Sequence, residues 1–379
     1  MNKIGIITIH RVLNYGTAWQ VYSTVQLLRK YCRDVTVIDY IPSRLKIAKT
    51  KDFLFEVNPA YRNSWKKILY LALKIPTRFL EKRAFDQFIN KQIPLTKKKF
   101  FEADDLKEIR NDFNIFVTGS DQVWNYEEEI QSTIDKVYLL GFVECGEIDK
   151  KIAFSASFGR DKFSSEIIQD IAPYIKDYSA ISVREVSGLN ILGQIGYANA
   201  VHSLDPTLIY GKDNLISLAS KRLVKSKYVL IYALSPNPLV DKMAQYIAKK
   251  KDLKIVKLCN TLEKMSYIDK YFRFRKPEDF LSLFYHADYV VTNSFHGTAF
   301  SVNFEKQFSV IAADKFETKM LDFLESVNLK SRLLTLERDF EKQLKFIDFE
   351  ESRKIINDNR EKMEEFLKNN IGRDNNEKK

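Results

Sequence analysis

The sequence predicts an α/β protein made of two Rossmann-like domains, each a parallel sheet covered by helices. Three observations carry this expectation. Short β-branched runs alternate with helical periodicity from the first residues, each run ends in a small polar cluster, and the alternation restarts after a polar stretch near 211–227. A chain of 379 residues with 45% apolar content can fill two cores of ordinary size. The expected domains are 1–212, carrying a basic helical insertion at about 42–110, and 213–379.

In order, Lys3 to Ile9 is the first buried strand, Asn14-Tyr15-Gly16 a turn, and Thr17 to Tyr31 a helix through Val21, Val25 and Leu28. Val35 to Tyr40 is the second strand. Pro42 and Pro59 mark a loop over 41–60, and a helical insertion runs from Tyr61 to Asn90, with Trp65, Ile68, Leu69, Ala72, Phe85, Phe88 and Ile89 at apolar positions. Strands then recur as Asn114 to Thr118 before GSDQVWN, Lys151 to Ser155 before ASFG, Ala180 to Val183 before REVSG, and Val201 to Leu204 before DPTLI. The second half reads as strand Tyr228 to Leu234, helix Leu239 to Lys250, strand Lys254 to Leu258, helix Glu278 to His286, strand Asp288 to Thr292, strand Phe308 to Ala312 and helix Glu317 to Val327. The amphipathic segment Glu351 to Asn369 is expected to pack back across the domains, and the tail from Arg373 to be disordered. Ligands of open α/β sheets bind beyond the carboxyl ends of strands, so the polar clusters are where chemistry is expected.

Composition excludes several classes. The net charge of +11 is concentrated between Arg44 and Arg110, where 17 Lys or Arg face 8 Asp or Glu. A solvated helical surface satisfies this; the functional alternative is a basic face toward anionic lipid or a phosphorylated carrier. Nucleic acid is not an expected partner, because no recognition signature accompanies the charge. The apolar run before His10 is too short for a signal sequence, so the expected location is cytoplasmic, with peripheral contact at the inner membrane surface as a variant. Cys32, Cys145 and Cys259 have neither disulfide nor zinc spacing, and His10, His202 and His286 are widely scattered. Walker A, H-E-x-x-H, G-x-S-x-G and D-x-D patterns are absent, which points to a reaction with no metal and no bound cofactor.

The stretch TNSFHGTAFSVNF, 292–304, places His296 between a strand end and a helix start, with Ser294, Gly297 and Thr298 beside it. Helix N-terminal amides hold anions and an imidazole exchanges protons near neutral pH, although a lone histidine in a turn is more often structural. Arg184 follows a strand and offers a planar fork for carboxylate or phosphate; a salt bridge accounts for it equally well. Gly119-Ser120-Asp121 is a phosphate- or hydroxyl-binding turn or simply an N-cap. Asp205-Pro206-Thr207 reads as a rigid turn, and the amides of Asn14-Tyr15-Gly16 as an approach to a ligand that lacks the dinucleotide fingerprint.

Taken together and in order, VTGSDQVWN (117–125), FSASFG (154–159), SVRE (182–185), DPTLI (205–209) and TNSFHGTAFSVNF (292–304) resemble the polysaccharide pyruvyl transferase family, over residues 4–312. That resemblance implies a GT-B-like arrangement of the two domains with a cleft between them. It also implies phosphoenolpyruvate as donor substrate and a sugar or lipid-linked oligosaccharide as acceptor, on two hydroxyls of which a pyruvate ketal forms. On this reading His296 is the catalytic acid or base, Asp121 and Glu185 are further catalytic candidates, and Arg184 clamps the donor. Ser294, Gly297, Thr298, Asn14, Tyr15, Gly16, Gly119, Ser120, Ser155 and Ser157 complete the substrate-binding set. Many members carry arginine where this chain has Ser294, and Lys306 is the candidate for the missing charge. The rival readings are a nucleotide-sugar glycosyltransferase of the same architecture and a non-catalytic glycan-binding relative.

Overall fold

The computed structural model describes residues 2–42, 66–126, 133–143, 148–262, 264–311 and 317–372. The loop expected at 41–60, the start of the insertion at 61–65 and the tail from Arg373 lie almost wholly outside these residues.

The chain divides into two compact units, 1–203 with 364–379, and 204–363. In the first, β1 (Lys3–Ile7), β2 (Asp34–Val37), β3 (Ile115–Thr118), β4 (Lys150–Ala156), β5 (Ala180–Val183) and β6 (Val201–His202) form a sheet in the order β2-β1-β3-β4-β5-β6. Its pairs are all parallel, with Ile4 beside both Val35 and Ile115. Strands such as Ile115–Thr118 and Ala180–Val183 are buried along their whole length. That is why they read as continuous apolar runs and do not alternate. Helices α1 (Tyr15–Arg29), α2 (Lys66–Gln92), α3 (Ser165–Lys176) and α4 (Val186–Ile195) accompany this sheet.

In the second unit β7 (Tyr228–Tyr232), β8 (Lys254–Cys259), β9 (Lys270–Arg273), β10 (Tyr289–Thr292) and β11 (Gln307–Val310) form a parallel sheet in the order β11-β10-β7-β8-β9. Its helices are α5 (Pro238–Lys251), α6 (Pro277–Tyr285), α7 (Phe295–Asn303), α8 (Glu317–Ser326) and α9 (Glu350–Ile371), preceded by one-turn helices at Pro206–Tyr210 and Lys212–Ile216. The last turns of α9 belong to the first unit, where Lys30 pairs with Glu364 at 2.9 Å.

The expected boundary at 212/213 moves to 203/204. The reason is local: Asn303 on α7 donates to Thr207 O (2.8 Å), and Arg360 on α9 donates to Leu208 O (2.9 Å), so DPTLI packs with the second unit. Besides the one-turn helices, one strand and two longer helices were not anticipated. β9 is a four-residue edge strand, KYFR, flanked by polar residues. Helix α3 contains Pro173 and α4 contains two glycines, residues that weaken a helical pattern.

A buried ionic clasp fixes the entrance to the first unit. Asp39, just past β2, accepts two bonds from Arg11, at 2.6 and 2.7 Å, and pairs with His10 Nε2 at 3.0 Å. Arg11 continues to Asn90 of α2 at 3.1 Å, while Phe85 and Phe88 of α2 pack on Tyr15 and Trp19 of α1. Burial alone would raise the Asp39 pKa, but the bonds from Arg11 and His10 outweigh it and hold the carboxyl well below the usual carboxylate range. A depressed folded-state pKa stabilises fully above the unfolded value near 4 and is lost as pH falls toward the folded value. Asp39→Asn is therefore expected to cost about 3 kcal/mol at pH 7 and to flatten the loss of stability below pH ~4, read from urea unfolding at several pH values. Equal pH slopes in both proteins would remove Asp39 from acid stability.

Candidate active site

Each sheet has a point at which the chain leaves one strand in one direction and later returns on its other side, and ligands bind at such switch points. In the first sheet this lies between β1 and β3. Asp121, three residues past β3, adopts φ +74°, an uncommon conformation for a residue with a side chain. Thr17 of α1 donates its hydroxyl to Asp121 Oδ2 (2.6 Å), and the Gln122 amide donates to Oδ1 (2.8 Å). Arg184, directly after β5, brings Nη2 to 3.8 Å from the same Oδ1. Both side chains are nearly buried, with Asp121 9% and Arg184 8% exposed. The first unit thus joins Thr17, Asp121 and Arg184 into one charged cluster at the carboxyl edge of its sheet.

The other residues expected here do different work. Glu185 Oε1 accepts from Ser157 Oγ (3.0 Å), the Phe158 amide (2.7 Å) and the Gly159 amide (3.2 Å). It thereby gathers the loop after β4. Ser157 is spent in the same knot, and Ser155 bonds Ser203 Oγ at 2.6 Å inside the sheet. Asn14 is the N-cap of α1, and its side chain already accepts the Gly16 and Thr17 amides (2.9 and 3.3 Å). Tyr15 is packed against Phe85. Gly119 is needed for packing: a Cβ there would lie 2.8 Å from Thr8 Cβ. The Ser120 hydroxyl is buried with no hydrogen-bond partner among the described residues.

The second switch point lies between β7 and β10. Asn293, just past β10, ties the two strand ends together by accepting from the Leu234 amide (2.8 Å) and donating to Ser235 O (2.9 Å). Ser294 is the N-cap of α7, its Oγ accepting the Gly297 amide at 3.3 Å, and the Thr298 amide bonds Ser294 O at 2.9 Å. The amides of Gly297 and Thr298 thus take part in the helix cap. This also gives Ser294 a local function: its hydroxyl caps the helix start. Gly297 permits the close approach of α7 to the sheet, since a Cβ would fall 2.2 Å from Thr292 Oγ1 and 3.0 Å from Tyr232 Cδ1. Gly297→Ala is expected to cost about 1–3 kcal/mol in denaturant unfolding through overpacking. A cost below ~0.5 kcal/mol would show that the turn relaxes freely.

His296 occupies the first turn of α7 and is 6% exposed. Its Nε2 lies 3.8 Å from Oδ2 of Asp205, a carboxylate with no exposed surface. Asp205 caps the one-turn helix Pro206–Tyr210, its Oδ1 accepting from the Thr207 amide (3.0 Å) and hydroxyl (2.7 Å). The sequence marks Asp205 as a turn residue but not as a neighbour of a histidine 91 positions later. The D-P-T spacing signals the cap alone. Lys306 is not at this edge. It precedes β11 at the amino-terminal side of the sheet and donates to Tyr285 O, over whose ring its ammonium stands at 5.2 Å. The proposal of Lys306 as the substitute cation fails on topology.

The described residues contain no group of three or more His, Cys, Asp or Glu placed to hold a metal, and no helix among them is long and apolar enough to cross a membrane.

Two parallel α/β sheets, each with polar side chains at its switch point, define a protein of two Rossmann-like domains, the GT-B type of fold. Solved structures agree. The chain is similar to a UDP-N-acetylglucosamine 2-epimerase at 12% identity, with 97% of this chain and 96% of that one covered and a TM-score of 0.51. A Listeria monocytogenes protein assigned as a UDP-N-acetylglucosamine 2-epimerase matches at 10% identity, covering 96% and 91%, with TM-score 0.51. S. aureus MnaA, solved with UDP, matches at 9% identity, covering 96% and 97%, with TM-score 0.50. These likenesses concern the fold. No curated protein matches the sequence significantly. The chain belongs to the polysaccharide pyruvyl transferase family, whose profile matches residues 14–315. It is a transferase of polysaccharide biosynthesis by that membership.

Proposed function

We propose that the protein transfers the enolpyruvyl unit of phosphoenolpyruvate to two hydroxyls of a sugar, in a cell-surface polysaccharide or its lipid-linked precursor. The observation that supports this most is the buried His296 in the first turn of α7, beside Asp205 and at a sheet switch point. A proton donor held there suits a donor whose methylene carbon must be protonated before C2 becomes electrophilic.

The reaction balances without any redox partner. The methylene carbon gains one proton and becomes a methyl group. Two sugar oxygens form bonds to C2, and the C2–O bond to phosphate breaks. Of the two hydroxyl protons released, one replaces the proton used on carbon and the other leaves with phosphate. In this scheme His296 of the second unit delivers and recovers the proton, and the Arg184 fork of the first unit, with Asp121 beside it, has the chemistry to hold a carboxylate or phosphate oxygen and to orient a hydroxyl. The cytoplasm, where phosphoenolpyruvate is made, is the compartment this reading requires.

Calorimetric titration of the purified protein with phosphoenolpyruvate, beside uridine, cytidine and guanosine diphosphate-sugars, tests the donor without knowledge of the acceptor. Saturable binding of phosphoenolpyruvate alone is expected. Binding of one nucleotide-sugar and none of phosphoenolpyruvate would replace this reading by glycosyl transfer.

A further inference from the structure

We infer that helix α2 lays one face on an anionic lipid surface, with Phe79 and Leu80 entering the headgroup layer and the basic residues of the helix meeting lipid phosphates. Phe79 is 59% exposed and Leu80 61%, while Phe85 and Phe88 of the same helix pack on Tyr15 and Trp19 of α1. At 3.6 residues per turn, positions 79 and 80 lie across the helix from 85 and 88. Toward the start of the helix the same side takes positions 69, 72, 73 and 76, where the sequence has leucine, alanine, leucine and proline. The outer side of a helix that packs on a folded body is ordinarily polar. Here it is apolar.

The charge of α2 decides between partners. Residues 66–92 carry seven Lys or Arg against two Asp or Glu. Neither acid adds to the outer face: Glu81 has no exposed surface, and Asp86 pairs with Lys82 and, at 3.4 Å, with Arg11. Lys82 and Arg83, next along the chain from the apolar pair and its buried neighbour, are both exposed. Residues 43–65, outside the described residues, hold five Lys or Arg against two Asp or Glu, so no placement of them reverses the sign. A second copy of the chain would bring the same positive face against this one, because a two-fold interface sets one patch on itself, and like charges would oppose it. An anionic bilayer satisfies both features together, taking apolar side chains below its headgroups and basic ones among them. Arg11 joins Asn90 of α2 (3.1 Å) to Asp39 (2.6 Å), so the helix is fixed to the first unit and carries that unit to the surface. The attachment stands apart from the donor assignment; only its use, access to a lipid-linked acceptor, rests on the proposed reaction.

Flotation of the full chain with vesicles tests this, comparing phosphatidylcholine alone with phosphatidylcholine mixed with phosphatidylglycerol, at low and high salt. Partition onto the mixed vesicles is expected to be about tenfold or more the stronger, and to fall as salt rises. Phe79→Ser with Leu80→Ser should weaken it about tenfold or more by removing the apolar anchor. Lys82→Glu with Arg83→Glu should weaken it by a similar factor and remove most of the salt dependence. Phe346→Ser, at an apolar residue 78% exposed in the second unit, should leave it unchanged. Melting curves near that of the parent are expected throughout, since all five positions are exposed. Equal partition onto both kinds of vesicle, partition onto neither, or partition that survives either double variant of α2 would overturn the inference. So would an equal loss in Phe346→Ser. A parent chain that is dimeric by light scattering and becomes monomeric in Phe79→Ser with Leu80→Ser would assign the face to a second copy instead. None of these readings uses phosphoenolpyruvate, so failure of the donor assignment remains a separate result.

Discussion

His296→Gln is expected to lower turnover by about 10²–10⁴-fold, the range over which a positioned proton donor contributes, while the protein stays folded. Glutamine keeps much of the ring's volume and its hydrogen-bonding capacity but exchanges no proton at neutral pH. Because His296 is buried beside Asp205, some stability is lost, on the order of 1 kcal/mol. The decisive comparison is between turnover and affinity: phosphoenolpyruvate should still bind, with the chemical step lost. Turnover within threefold of the parent would remove His296 from the chemistry.

Arg184→Lys is the second large effect. Arg184 is 8% exposed and its Nη2 lies 3.8 Å from Asp121 Oδ1, so its side chain is held in a restrained orientation. Lysine keeps the charge but offers a point donor on a flexible stem, and cannot make the paired contacts that a carboxylate or phosphate accepts from arginine. Donor affinity should fall by about 10- to 100-fold, which corresponds to ~1.4–2.8 kcal/mol. Asp121→Asn in the same background helps to separate two roles. If Arg184 serves only to neutralise Asp121, the asparagine variant should tolerate lysine at 184; if it binds the donor, the loss should persist.

The strands were legible because parallel sheets bury both faces, so IFVT and AISV stand out as unbroken apolar runs. The helices α3 and α4 were hidden by Pro173 and by paired glycines, and β9 by its short polar ends. In the site, single residues were visible but their partners were not. His296 stood out by its place between strand end and glycine. Asp205 did not, because its neighbourhood is set by how the one-turn helix 206–210 packs on α7. Thr17 is likewise 104 positions from Asp121, a separation that no local spacing can bridge. For Glu185, Ser157 and Gly119 the sequence does not separate loop tethering and close packing, which the structure shows, from ligand binding, because both use the same residue types.

The most direct test follows the NMR signals of the histidine side chains while phosphoenolpyruvate is added, up to about 10 mM, well above the usual range of KM. The account predicts a saturable movement of the His296 signal, with the other three histidines nearly still. Saturation with no movement of His296, or no response at all, would contradict the claim that this turn meets the donor.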